Sequence, residues 1–114
     1  MSDIHIDHEV LSGLQEVMEH DYAQLIRTFL LDSEVRLNLL HQATTAQQLG
    51  HAAHSFKGSS SNMGATALAA LCQQLEERVK QPPLTDIENL INQIHREYDV
   101  VRVLYIEECE RVSG

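Results

Sequence analysis

The chain has 114 residues, room for one domain with a single core. Its formal net charge of -9 argues against the basic face that a nucleic-acid binder or a ligand of anionic membranes carries. Hydrophobic residues make up 43% but aromatics only 4%, with no Trp, a composition that suits aliphatic packing of helices better than a β-sandwich.

The apolar residues recur at helical spacing almost throughout. A short first helix is predicted from Asp7 to about Met18, with Asp7 as N-cap and Val10, Leu11, Leu14, Val17 and Met18 on one face. A second runs from Asp21 to about Ala43, its stripe Tyr22, Leu25, Ile26, Phe29, Leu30, Val35, Leu37, Leu39 and Leu40. Thr44 and Thr45 each precede a Gln by three residues, the spacing of a capping box. The third helix follows to about Met63, with Leu49, Ala53, Phe56, Ser60 and Met63 inward, and Gly64 can end it in a left-handed conformation. Leu68, Leu71, Cys72, Leu75 and Val79 mark a fourth helix, which Pro82 and Pro83 stop. Thr85 with Glu88 is read as the capping box of the last helix, whose face is Ile87, Leu90, Ile91, Ile94, Tyr98, Val101 and Tyr105. Short links between amphipathic helices imply antiparallel neighbours. The expected fold is all-α, an up-down four-helix bundle with a short extra N-terminal helix, formed by a single domain over residues 1–114.

No apolar run approaches the length needed to span a bilayer, and the segment MSDIHIDHEV lacks the basic and apolar regions of a secretory signal. The expected location is the cytoplasm. Cys72 and Cys109 form no Cys-x-x-Cys pattern and read as reduced core thiols.

Charge is unevenly placed. All 17 acidic residues lie at or before Glu34 or at or after Glu76, and between them Arg36 and Lys57 are the only Lys or Arg residues. Within this acid-free window, His54 stands beside the apolar stripe, with Gly50 and Gly58 one turn to either side. A glycine inside a helix costs roughly 1 kcal/mol relative to alanine. Two flanking one histidine suggest access for another protein's active site, although a frayed helix start at Gly50 and close helix packing at Gly58 explain them equally. Lys57, three residues on, shares the His54 face and could make a charge-assisted contact to a phosphorylated imidazole. Positions equally far from the turn near Gly64 should face each other. Gln73, Gln74 or Glu76 could therefore bond one imidazole nitrogen and leave the other as nucleophile.

The run Ala53-His54-Ser55-Phe56-Lys57-Gly58-Ser59, then Asn62-Met63-Gly64-Ala65, Leu68, Leu71-Cys72 and Leu75-Glu76, resembles the signature of the histidine-phosphotransfer (HPt) family. Phe29-Leu30-Leu31-Asp32-Ser33-Glu34 is similar to that family's second-helix pattern, so the resemblance covers nearly the whole chain. It implies that His54 is phosphorylated, with Lys57 supporting the phosphoryl group and Glu76 the imidazole. It further implies that Gly58 admits the receiver domain; Gly50, His51, Ser55 and Ser61, near the same ring, are expected to take part in receiver access and docking. The implied function is a phosphoryl carrier between the receiver of a hybrid kinase and that of a response regulator. Such a carrier has no kinase activity and no cofactor of its own, Mg²⁺ coming with the receiver, and it acts as a monomer.

Two other readings stay open. Seven histidines invite a metal-binding bundle, though none has Glu three residues before it, as di-iron bundles do. The other is a helical adaptor, either with an incidental histidine or docking receivers without phosphotransfer. Apolar docking positions are expected on the first helix and the edge of the second, near Leu11, Leu25 or Ile26.

Overall fold

The computed structural model describes residues 4–113; the ends of the 1–114 span and the first three residues of the N-terminal segment lie outside them. Five α-helices follow in order: α1 His8–Met18, α2 Tyr22–Gln42, α3 Ala46–Asn62, α4 Thr66–Arg78 and α5 Ile87–Ser113, with a 3₁₀ turn over Glu19–Asp21 between the first two. Helices α2 to α5 form a ring in which α2 touches α3 and α5, and α4 touches α3 and α5. Helices α3 and α5 thus sit at opposite corners of an up-down bundle, as the periodicity implies.

Local chemistry sets most boundaries. The Asp7 carboxylate accepts from the backbone N–H of Glu9 at 3.0 Å and caps α1. Thr45 caps α3 by accepting from Gln48 N at 3.1 Å, while the Gln48 side chain reaches back to Thr44 N at 2.9 Å. The other pairing, Thr44 with Gln47, is not the one used. Helix α5 opens differently from expectation. Its first turn closes through Leu90 N to the Asp86 carbonyl at 3.0 Å, so Asp86, at φ +61°, stands at the cap instead of Thr85.

Gly64 ends α3. At φ +78° it closes a Schellman motif, with Ala65 N donating to Ser60 O at 2.8 Å and Gly64 N to Ser61 O at 3.1 Å. The same glycine carries the N-terminal segment. Its carbonyl accepts from Asp7 N at 2.7 Å, and a Cβ there would stand 3.0 Å from Asp7 O and 3.1 Å from Val10 Cβ. Ile6 is buried beside this contact, and α1 closes that end of the bundle, with Gln15 accepting from Arg111 at 2.9 Å.

The core is the expected aliphatic one, with Phe56, Leu68, Leu75, Ile94 and Val101 fully buried. Cys72 is free and buried, and burial pushes its thiol up to about 12; Cys109 is free and partly buried. Each of the three tyrosines buries its ring and finds a partner for its hydroxyl: Tyr22 donates to Glu108, Tyr98 to Leu30 O and Tyr105 to Met63 O. Two predicted stripes need correction. On α2 the buried set is Tyr22, Ile26, Phe29, Leu30, Ser33, Leu37 and Leu40, leaving Val35 59% and Leu39 51% exposed. Ser33 occupies the core position, and Val35 lies two residues, or roughly 200°, around the helix from it. On α1, Val17 is also exposed.

Gly58 and Gly64 make a contrasting pair. Substituting Gly64→Ala meets both a positive φ and two close neighbours, and should destabilise by about 2 kcal/mol or more. Gly58→Ala meets open space on a helix surface and should stabilise by roughly 0.5–1 kcal/mol. Urea denaturation of the two variants checks this.

Candidate functional site

The Schellman turn sets the register of α3 against α4. His54 lies ten residues before Gly64 and Glu76 ten residues after Thr66. At 1.5 Å per residue each is about 15 Å from the turn, so the two positions come level. Their side chains meet: His54 Nδ1 is 2.8 Å from Glu76 Oε2. The other carboxylate oxygen, Oε1, accepts from Lys57 Nζ at 3.0 Å. Of the three α4 candidates it is Glu76 that bonds the imidazole, while Gln73 instead donates to Glu77 at 3.1 Å.

This geometry fixes a protonation pattern. The Lys57 hydrogen bond holds the Glu76 carboxyl below its usual range, against burial that pushes it up, and the His54 bond adds to the lowering. An ionised carboxylate only accepts. In the neutral ring Nδ1 therefore carries the proton, and Nε2 keeps its lone pair. The His54 side chain is 68% exposed against 15% for Glu76, so the ring reaches solvent while its support is sheltered.

The other residues singled out from sequence fall around this point. Gly58 is exposed, and a Cβ there would meet nothing within 4 Å, so helix packing does not require it. A Cβ on Gly50 would make an ordinary 3.5 Å contact with Val79, and Gly50 lines a groove with His51, His54 and Lys80. His51 and Ser55 are exposed and line a second groove, between α3 and α2. Ser61 is exposed in a shallow groove with Lys57, Gly58 and Asn62. Leu11 and Ile26 are buried and Leu25 is partly buried, which removes the first two from any docking surface. Arg36 had no role assigned from sequence, beyond lying in the acid-free window. Its Nε donates to Ser55 Oγ at 2.9 Å, one residue from His54. Among the described residues no group of three or more His, Cys, Asp or Glu is placed to hold a metal ion, and no helix is long and apolar enough to cross a membrane.

Residues 24–103, most of the chain, match the family model of the Hpt domain. The chain belongs to the Hpt family. A solved structure similar to this Hpt chain is histidine-containing phosphotransfer protein B (HptB) from Pseudomonas aeruginosa PAO1. The two are 51% identical with a TM-score of 0.92, over 96% of this chain and 98% of that one. Among curated proteins no match is found. The all-helical bundle and the role of a phosphorelay Hpt protein follow from this membership.

The carboxylate contact has a spectroscopic consequence. In the neutral form of the ring the ¹⁵N shifts of His54 should report a protonated Nδ1 and an unprotonated Nε2, and Glu76→Ala should abolish that preference. Because the Glu76 pKa is lowered on folding, its stabilising contribution is present above the usual carboxylate range and is lost as pH falls through its lowered value. Glu76→Gln should remove that part of the acid limb of the stability curve, measured by urea denaturation from neutral pH downward.

Proposed function

We propose that His54 is the phosphoryl acceptor of this Hpt protein, and that it carries the group from the aspartyl phosphate of a hybrid-kinase receiver to the receiver of a response regulator. The observation that carries the proposal is the 2.8 Å contact from Nδ1 to Glu76 on an exposed ring, which leaves Nε2 as the nucleophile.

The transfer asks for positioning more than for acid–base chemistry. Nε2 attacks phosphorus in line, the N–P bond forms, and the P–O bond to the donor aspartate breaks with its electron pair leaving on the carboxylate. Nδ1 keeps its proton, so the ring gains positive charge as the bond forms. The Glu76 carboxylate, already in contact, stabilises that charge, and because it keeps the proton on Nδ1 the ring departs as a neutral imidazole in the onward step. The Lys57 ammonium holds Glu76 in place and stands on the His54 side of α3, within reach of a phosphoryl oxygen. Mg²⁺ would arrive with the receiver and offset phosphoryl charge there; this chain's part is to orient the ring and to leave room. Gly58, with nothing near its Cα, and Gly50, beside a groove, keep the turns on either side of His54 low enough for a receiver to close on the ring.

The carrier reading accounts for Lys57 and Gly58 together, which neither rival reading does. An adaptor has no use for a lysine tied to the carboxylate of the imidazole. A metal ion between His54 Nδ1 and Glu76 Oε2 would share its carboxylate with the Lys57 ammonium on Oε1, which repels it. A carrier of this kind needs no kinase activity of its own, and as a monomer in the cytoplasm it would leave His54 free for both receivers.

The test is transfer of label from a panel of phosphorylated receiver domains. Wild type should take up acid-labile, base-stable label, and His54→Gln should take up none. Lys57→Ala should slow transfer roughly 10- to 100-fold, the scale for one lost hydrogen bond to a charged group. Label on His54→Gln, or none on wild type from any receiver, would contradict the proposal.

A further inference from the structure

Two histidines that the phosphotransfer chemistry leaves unused meet across the bundle. His41 stands in the last turn of α2 and His95 near the start of α5. His41 Nε2 lies 2.9 Å from His95 Nδ1, with the ring centroids 5.1 Å apart and the planes tilted by 57°. The other nitrogen of His95, Nε2, is 3.8 Å from Asp99 Oδ1, one turn further along α5. His41 is exposed and the His95 side chain is 46% exposed, so neither ring is there to fill the core. His5 and His54, by contrast, each pair with a carboxylate.

The pair lies on the α2–α5 face. In the ring of helices that face is opposite the α3–α4 face, which carries His54, Lys57 and Glu76. Arg36, the cation in the second half of α2, is turned toward α3 by its 2.9 Å bond to Ser55. Arg96, the residue after His95, stands about 100° around α5 from it. One turn before each histidine is an exposed, uncharged amide, Asn38 on α2 and Asn92 on α5. The Asp99 carboxylate and a net charge of -9 favour a cation at this face.

Two neutral imidazoles at hydrogen-bond distance hold one proton between the facing nitrogens. Asp99 favours the His95 tautomer with its proton on Nε2, which leaves the Nδ1 lone pair facing His41. His41 then donates from Nε2. Moving that single proton to Nδ1 of His41, through solvent at an exposed ring, directs two lone pairs into one space and releases no proton. A pair of imidazole nitrogens, one oriented by a carboxylate behind it, is a donor set for a transition-metal ion. The separation selects among ions. Two nitrogens each about 2.05 Å from one ion and 2.9 Å from each other subtend about 90° at it. Tetrahedral zinc would need them roughly 3.3 Å apart. The right angle is that of neighbouring positions in tetragonal or octahedral coordination, which suits Cu(II) or Ni(II). Such an ion lies off the line between the nitrogens, so each ring swings to aim its lone pair, as its exposure permits.

The geometry points to a two-histidine site, His41 and His95, for an ion of the Cu(II) or Ni(II) type, oriented by Asp99 and completed by water. The site does not depend on the carrier reading. An ion there ties the end of α2 to the start of α5 on the side away from His54, and so stabilises the bundle without obstructing transfer. Affinity comes from chelation, because once one imidazole binds, the second is held at high effective concentration.

The test titrates untagged full-length protein with Ni(II) chloride, read by calorimetry, and with Cu(II), read by electron paramagnetic resonance. Wild type should bind one ion at this site, with a tetragonal Cu(II) signal that shows two imidazole nitrogens. His41→Ala and His95→Ala should each weaken binding at least about 10-fold and remove that signal. Asp99→Asn should weaken it less. Ni(II) should raise the urea midpoint of wild type and not that of His95→Ala. Both histidines are exposed, so the metal-free midpoints of the variants should stay close to wild type and control for folding. His54→Gln should bind as wild type does. No binding by wild type, or wild-type affinity in both alanine variants, would overturn the inference without touching the carrier reading. Binding lost in His54→Gln but kept in His41→Ala would overturn it too, by placing the ion at the His54 ring.

Discussion

One carboxylate holds the functional side of this protein together. Glu76, on α4, accepts from His54 through one oxygen and from Lys57 through the other, and both donors lie on α3. The interaction ties the two helices at the level of the His54 ring, sets the ring's tautomer and aims it outward. It also reconciles an acid-poor surface with the need for a negative charge at the imidazole. The charge is supplied from the neighbouring helix and neutralised by Lys57, so a phosphorylated partner meets little repulsion. Removing the lysine would leave a half-buried carboxylate with the imidazole alone, and for that reason Lys57 matters before any phosphoryl group arrives.

That contact depends in turn on a turn. Gly64 lets α3 stop in the left-handed conformation, and the two hydrogen bonds of the motif fix where α4 begins. Moving the start of α4 by one residue would rotate Glu76 by about 100° away from His54. Gly64 also receives the N-terminal segment through Asp7 and Val10, and Tyr105 donates to the Met63 carbonyl from the opposite side. The turn is thus fastened by α1 and α5. The site inherits its rigidity from packing at the far end of the hairpin.

Much of this was legible in the sequence because the apolar period runs unbroken through α3, α4 and α5. The acid-free window and the glycines around His54 singled out that histidine as a candidate, and the resemblance to the HPt signature implied the acceptor role proposed for it. Three features were not legible from periodicity and spacing, although the family resemblance did single out Glu76. Ser33 takes a core position with a polar side chain, which made Val35 and Leu39 look like core and hid the exposed stripe. The choice among Gln73, Gln74 and Glu76 needs the crossing of α3 and α4 to within part of a turn, which spacing from a loop does not supply. The start of α5 relies on Asp86 at positive φ, a conformation that the preceding Thr85 disguised with a capping-box spacing. Arg36 could have been suspected as the other fixed cation of the acid-free window, but its bond to Ser55 is a tertiary contact.

The central claim is that Glu76 holds Nδ1 so that the phosphoryl group enters at Nε2. The direct measurement is the regiochemistry of the phosphorylated protein, read from ³¹P couplings and ¹⁵N shifts after transfer from a receiver. The account predicts a single phosphohistidine at residue 54 with phosphorus on Nε2 and Nδ1 still facing Glu76. Phosphorus on Nδ1, or on any other residue, would contradict it.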